Sequence, residues 1–240
     1  MGMQAVLHVI YPAHCLTCDA RVTSDFGLCG TCWRDTPFIT GLVCNKCGIP
    51  LPGEADATEV LCDDCLLVAR PWSDGRAALL YQDNGRKLVL ALKHGDRQDL
   101  ARPAATWMVR AAGAMLQPGM LVAPIPLHWL RLFKRRYNQA ALLSAGIARL
   151  AKLDHCPDLL QRRRNTGTQD GRSRDGRFAN MSDALTVHPR RAARIEGRHI
   201  VLVDDVMTSG ATLAAAAEAC LASGAKGISV LVMARVAKGD

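Results

Sequence analysis

The stretch Ile200-Val201-Leu202-Val203-Asp204-Asp205-Val206-Met207-Thr208-Ser209-Gly210-Ala211-Thr212 decides the fold. Its first four residues are aliphatic without a polar break, the composition of a strand buried on both faces. After a small, hydroxyl-rich bend come an Ala-rich helix from Thr212 to Ser223, a stop at Gly224 and a second apolar run from Gly227 to Ala234. With a first strand over His199 to Val203, this order predicts a right-handed parallel crossover in a buried sheet. Two adjacent carboxylates at the carboxyl end of such a strand lie where open α/β sheets bind ligands. Gly210 is conformationally permissive, and the helix behind it can present amides to a phosphate. The bend is not a Walker loop, because the Gly-Lys pair is missing. The phosphoacceptor Asp of a receiver domain is the structural rival, but it belongs to a one-domain chain without this phosphate cradle.

Upstream, Ala77 to Tyr81 reads as a strand, Gln82 to Gly85 as a turn, Arg86 to Leu92 as a short helix and Leu100 to Leu116 as a longer one. Met120 to Pro126 suits a buried strand stopped by prolines, and Asn138 to Leu153 an amphipathic helix. Gln161 to Ala179 is polar, Gly- and Arg-rich and aperiodic, which predicts a mobile loop, with Ala184 to Val187 a weak strand after it.

Eight of the ten cysteines form four C-x-x-C pairs: Cys15/Cys18, Cys29/Cys32, Cys44/Cys47 and Cys62/Cys65. Such a turn sets two sulfurs on one side of a tight loop, and two turns complete a closed tetrahedral zinc site with bonds of about 2.3 Å. Four pairs imply two structural zinc ions. Sequential pairing, 15/18/29/32 and 44/47/62/65, is favoured by the short gaps, and an interleaved arrangement is the alternative. A disulfide framework would need an oxidising compartment. Redox-active C-x-x-C motifs follow a strand in a larger sheet, whereas these sit in a short, acidic, Gly/Pro-spaced segment too small for a core of its own. Cys156 and Cys220 stand alone, the latter as a small core residue.

The chain of 240 residues suits one sizeable domain plus an appendage, here 1–70 and 71–240. With 49% apolar and 22% charged residues, disorder and coiled coil are excluded as the dominant state. No run approaches the roughly 18 apolar residues of a membrane helix, and the start lacks a basic n-region, so no membrane insertion and a cytoplasmic location are expected. Charge is uneven. Residues 1–70 hold four basic and eight acidic groups, while residues 131–198 hold sixteen basic and six acidic, so a polyanion is the expected ligand of the second half.

The acidic pair followed by Thr-Ser-Gly-Ala-Thr resembles the phosphoribosyl-diphosphate (PRPP) signature of the type I phosphoribosyltransferases. The resemblance extends over nearly the whole chain to the ComF/GntX-like group, which has a double zinc ribbon ahead of the transferase-like domain. Ala91-Leu92-Lys93-His94-Gly95, Ala123 to His128, Tyr137-Asn138-Gln139 and Thr166 with Gln169, Arg177 and Asn180 also match it. The resemblance implies an α/β fold with a parallel sheet flanked by helices. It also implies that Asp204 and Asp205 hold the ribose hydroxyls. Thr208, Ser209, Gly210, Ala211 and Thr212 would hold the 5′-phosphate, with Val203, Val206 and Met207 in the same binding stretch. Lys93, His94 and Gly95 would form the diphosphate loop. Arg135, Asn138, Gln139, Arg177 and Asn180 would belong to a hood that excludes water from the reacting centre. Lys93 and Arg135 join the two acids as catalytic candidates, and magnesium would accompany PRPP. Where this group usually has Gly, Arg136 stands, and Arg172 replaces a frequent apolar residue; both add positive charge.

Three functions compete: a phosphoribosyltransferase, a competence-related binder of single-stranded DNA, and a scaffold whose zinc lobe docks a helicase-like partner. Among single residues, His94 divides evenly between diphosphate contact and solvated loop. His128 reads as structural, and His14 as superfluous where four thiolates fill the site. Trp33 reads as packing for the metal lobe, and Arg162-Arg163-Arg164 as a solvated face unless a nucleic-acid backbone lies nearby.

Overall fold

A computed structural model describes residues 12–25, 27–54, 59–94, 97–127, 137–162 and 184–237. In chain order, the helices are α1 (Gly30–Arg34), α2 (Asp63–Leu67), α3 (Asp83–His94), α4 (Ala101–Ala112), α5 (Gln139–Ala151) and α6 (Ala211–Ala222). The strands are β1 (Asp74–Leu80), β2 (Leu121–Pro124), β3 (Asp154–His155), β4 (Leu160–Arg162), β5 (Leu185–Val187), β6 (His199–Met207) and β7 (Gly227–Arg235). Five strands form one parallel sheet in the order β1-β7-β6-β2-β3, and β4 with β5 makes a separate antiparallel ribbon. This is the buried parallel sheet, with the β6-α6-β7 crossover, expected from the quoted stretch. No helix of the described residues is long and apolar enough to cross a membrane.

The strands are apolar on both sides because both faces are covered. On β6, Ile200 and Leu202 face the layer that holds α6 and Ile195, while Val201 and Val203 face the layer that holds Leu88, Met108 and Leu143 of α3, α4 and α5. The β6-α6-β7 unit therefore lies on one face and the β2-α5-β3 unit on the other. The chain leaves the carboxyl ends of β6 and β2 in opposite directions, which opens a crevice between them.

Three expectations need correction, and a fourth element, β3, has no expectation to match it. Strand β6 does not stop at Val203 but runs to Met207, with Asp204 opposite Val232, because β7 is long enough to keep pairing with it. Gln82 to Gly85 is not a free turn, since α3 starts at Asp83, which holds a positive φ of 45°. Gln161 and Arg162 are paired with Thr186 and Leu185 rather than opening a loop. Strand β3 has only two residues, too few for its period to be seen, and it is held by pairing with β2.

The cysteine-rich segment lies along the β1 edge. Ile39 N–H donates to Ala78 O at 2.9 Å, Leu80 N–H to Pro37 O at 2.9 Å and Gly75 N–H to Asn45 O at 2.7 Å. Lys46 and Trp72 exchange bonds between side chain and carbonyl, at 2.7 and 2.6 Å. The approach is close enough that a Cβ on Gly75 would run into the Lys46 carbonyl. Gly75→Ala should therefore destabilise the chain by about 2 kcal/mol, a loss of roughly 4–8 °C in Tm. An unchanged Tm in calorimetry would contradict this contact.

Candidate functional site

Successive side chains of a strand leave on opposite faces. Asp204 therefore follows Ile200 and Leu202, and Asp205 follows Val201 and Val203, so the acidic pair is divided between two layers. Asp205 meets the end of α3, with Oδ1 3.1 Å from Lys93 Nζ and both side chains mostly buried. The Oδ1 of Asp204 accepts the Asp205 N–H at 2.8 Å. Part of Asp204 faces a concavity of about 20 Å³ that residues 206–213 also line, room for one water-sized group. The protein packed around this carboxyl pushes it up to about 7. The Asp205 charge adds to that shift, and the Asp205 N–H, Lys93 and Arg162 oppose it.

The bend after β6 has its backbone carbonyls fixed from behind. Arg70 Nη1 donates to Ser209 O at 2.7 Å, and Arg235 Nη1 donates to Thr208 O at 2.7 Å and Met207 O at 3.2 Å. Gly210, at φ 81°, caps α6 without a side chain. Ser209 Oγ reaches the Ala211 N–H only at 3.4 Å. The first turn of a helix always has N–H groups without partners inside the helix, and here they open next to the concavity.

Lys93 and the exposed His94 are the last described residues of α3. The helix end is held from α5 and its approach: Tyr137 Oη donates to Leu92 O at 2.7 Å, and Gln139 Nε2 lies 3.5 Å from Lys93 O. Asn138 caps α5 by accepting the Ala140 N–H at 3.0 Å and donates to Ile125 O at 3.0 Å. Asn138 and Gln139 thus position the ends of β2 and α3. Val203 is fully buried, and its carbonyl accepts the Ile125 N–H at 2.9 Å. Gly95, His128, Arg135, Arg136, Arg172, Arg177 and Asn180 lie outside the described residues. Of the predicted set, the structure gathers Asp204, Asp205, Lys93 and residues 206–212.

The cysteines fall into two groups, Cys15/Cys18/Cys29/Cys32 and Cys44/Cys47/Cys62/Cys65, the sequential pairing, with all ligand atoms of a group within 4.8 Å of one another. Tetrahedral bonds of about 2.3 Å require sulfurs about 3.8 Å apart. Cys18 and Cys29 stand at 3.7 Å, and Cys47 and Cys62 at 3.6 Å. The donor set and its spacing fit zinc at both sites. In each group the second pair leads into a short helix, α1 after Cys29 and α2 after Cys62. Burial raises the Cys15 thiol, but N–H groups of Cys29, Thr17 and Cys18 outweigh it and bring the thiol to about 6. In the second group, bonds from Cys47 and Cys65 drive Cys44 far down while Cys47 goes far up, as expected of thiols crowded around a place for a cation. His14 bonds Asp19 instead of joining the first group. Trp33 packs on Phe38 with ring centroids 4.5 Å apart.

Sequence reasoning missed Arg70, Arg235 and Arg162. Arg70 and Arg235 follow no motif, each being one charge beside an apolar run. Arg162 heads the charge run read as a solvated face, yet it lies near enough to Asp204 to favour the carboxylate. A larger cleft of about 630 Å³, lined in part by Trp33, Phe38, Trp107 and Arg110, lies at the β1 edge. Among the described residues its lining contains no acid, thiol or imidazole.

A family model described as a double zinc ribbon domain matches residues 6–66, and one described as a phosphoribosyl transferase domain matches residues 161–240. The chain is 29% identical over 232 residues to DNA utilization protein YhgH of Escherichia coli (strain K12), covering 93% of this chain and 97% of that one. Competence protein F of Haemophilus influenzae is 27% identical over 192 residues, 78% of this chain and 81% of that one. Competence protein ComFC of Bacillus subtilis is 26% identical over 234 residues, 90% of this chain and 91% of that one.

Purified chain should contain two equivalents of zinc by atomic absorption. Cys18→Ser and Cys44→Ser should each lose one equivalent. The loss at Cys44, fully buried in the core that includes β6 and β7, should lower Tm at least about twice as far as the loss at exposed Cys18. Equal effects would show that the second group is no more part of the core than the first.

Proposed function

The chain belongs to the ComF-like family, a double zinc ribbon joined to a phosphoribosyl transferase domain, and from that premise we propose that it binds magnesium-PRPP and transfers its phosphoribosyl group with release of diphosphate. The observation that carries the reading is the shared concavity, where Asp204 and the amide-rich start of α6 line the same space. A phosphate would sit on the N–H groups of the bend, replacing the long Ser209 Oγ contact to the Ala211 N–H, and a ribose hydroxyl would donate to the Asp204 carboxylate. Lys93, beside Asp205, would meet the diphosphate. A nucleophile forms a bond to ribose C1 as the bond from C1 to the diphosphate oxygen breaks, its electron pair leaving with the diphosphate. Lys93 would stabilise the charge that develops there.

Among the described residues, the only clusters of three or more metal-ligating side chains are the two cysteine groups. Magnesium, which takes oxygen ligands and commonly shares one or two carboxylates with substrate phosphates, would be held by Asp204 or Asp205 together with PRPP oxygens. When bound it would neutralise the leaving group.

The second reading, single-stranded DNA as ligand, draws on the competence and DNA utilization names of the relatives and on the basic second half. Part of that charge is already used, since Arg191 pairs with Asp158 at 2.8 Å and Arg198 with Asp154 at 2.8 Å. Affinity for an oligonucleotide that falls steeply between 50 and 200 mM salt would favour it.

Asp204→Asn separates function from stability. Folded Asp204 keeps its proton up to about pH 7, but an unfolded Asp loses it near 4, so this residue costs stability progressively as pH rises through that interval. The Asn variant should be more stable than the wild type by about 3 °C or more at pH 8, equal to it near pH 4, and should lose PRPP binding by at least about a hundredfold. Wild-type PRPP affinity should weaken below about pH 7. Calorimetry that finds PRPP bound equally well by the Asn variant, or not at all by zinc-replete wild type, would overturn the reading.

A further inference from the structure

Arg70 and Arg235 are 9% and 4% exposed, and among the described residues neither forms an ion pair with a carboxylate. Each also has a buried Nε without a partner. A buried guanidinium in that state is costly unless some other negative charge compensates it. Both side chains reach toward the second cysteine group. Arg70 stacks over Trp72, which shares one buried cluster with Cys47, Cys65 and Met207, and Arg70 and Arg235 are close enough to Cys65 and Cys47 respectively to favour their thiolates. Zinc with four thiolates carries about −2 net, which matches two arginines.

The same two guanidiniums hold the carbonyls of Met207, Thr208 and Ser209. A Cβ on Gly210 would stand 3.0 Å from Arg70 Nη1, and the guanidinium lies 5.5 Å from the centroid of the Trp72 ring. Cys44, Cys47, Cys65, Trp72, Met207 and Ala211 belong to one buried cluster. Metal group, arginines and bend are therefore one contiguous unit, although Arg70 and Ser209 are 139 residues apart in the chain.

We infer that the second zinc site is a positioning element for residues 208–212: its negative charge holds Arg70 and Arg235, which hold the bend, so that metal occupancy and affinity for a phosphate-bearing ligand are coupled. The ligand half of this rests on the PRPP reading; the structural half does not. Orienting the carbonyls inward leaves the amides of the bend outward, and removal of the metal leaves two uncompensated cations behind that bend. Linkage makes the effect reciprocal, so that a ligand held by the bend slows departure of the second zinc and leaves the first unaffected.

The test uses full-length protein with both zinc ions and two readouts. The first is amide hydrogen exchange at residues 208–212 without ligand. Arg70→Gln, with zinc content measured, should exchange there at least about tenfold faster than wild type, as should Cys62→Ser. Arg198→Gln, which removes a surface pair to Asp154, should match wild type. Arg235→Gln is read in the same way and decides the matter if Arg70→Gln does not fold. Wild-type exchange in a folded Arg70→Gln or Arg235→Gln protein, or equal acceleration in Arg198→Gln, overturns the inference. The second readout is the rate of zinc extraction by a chelator with and without PRPP. PRPP should slow release of one equivalent of the two by about tenfold, and Arg70→Gln should abolish that protection. Protection that survives in Arg70→Gln overturns the coupling. Failure of wild type to bind PRPP removes the PRPP reading, and the exchange result then decides the coupling alone.

Discussion

Two neighbouring carboxylates inside a strand buried on both faces are the constraint to which the rest of this structure responds. Alternation along β6 forces Asp204 and Asp205 into different layers, and each layer deals with its charge differently. Asp205 is matched by Lys93 in the last described turn of α3, and that turn is held by Tyr137 and Gln139 at the start of α5. Asp204 has no cation in direct contact among the described residues and has its carboxyl pushed up to about 7. Burial of such a group with one N–H and no cation in contact works against stability, so its persistence points to use, in the sense that perturbed carboxyls in concavities mark functional sites.

The metal lobe answers a different need. Ribbons of this length cannot bury enough apolar surface to fold alone, and closed zinc sites replace the missing core. Here they also cover the β1 edge, where Ile39, Asn45 and Pro37 take up backbone groups that an open sheet would leave to solvent or to another chain. The two groups are not equivalent. Cys18 of the first is exposed, whereas Cys44 and Cys47 of the second are fully buried among residues of the sheet layer.

Much of this was legible in the sequence because it is carried by local patterns. Four C-x-x-C pairs at short gaps gave the correct grouping, and the aliphatic run before Asp204 gave the parallel crossover, since both signals lie within a few residues. Strand ends were less legible. β6 continues through two carboxylates to Met207 because β7 keeps pairing with it, a non-local cause that a residue pattern does not carry. Asn138 and Gln139 were assigned to the ligand, whereas their described bonds go to the Ala140 N–H and to the carbonyls of Ile125 and Lys93. A polar residue beside a helix start reads alike in either role. Arg70 and Arg235 were invisible for the plainest reason: each is a single arginine at the edge of an apolar run, and their importance comes from what lies opposite them in space.

The bend also explains why arginines, and not side-chain caps, hold it. A Ser or Asp cap on α6 would occupy the N–H groups that an anion needs, whereas with Gly210 at the cap only the long Ser209 Oγ contact to the Ala211 N–H competes for them. The loop must then be rigid by some means that leaves its amides alone, and fixing the carbonyls is the remaining choice. Arg70 and Arg235 do this from the protein interior and add their charge to the positive end of α6, so the potential at the bend is positive from three sources. A few residues away the two acids give the adjoining space the opposite sign once Asp204 has lost its proton, and Lys93 is in contact with Asp205 alone of the two. A ligand suited to both must carry an anionic group at one end and hydroxyls or a bound cation beside it. A phosphorylated sugar chelating a metal has that polarity, while a simple phosphate or a simple cation satisfies half of it.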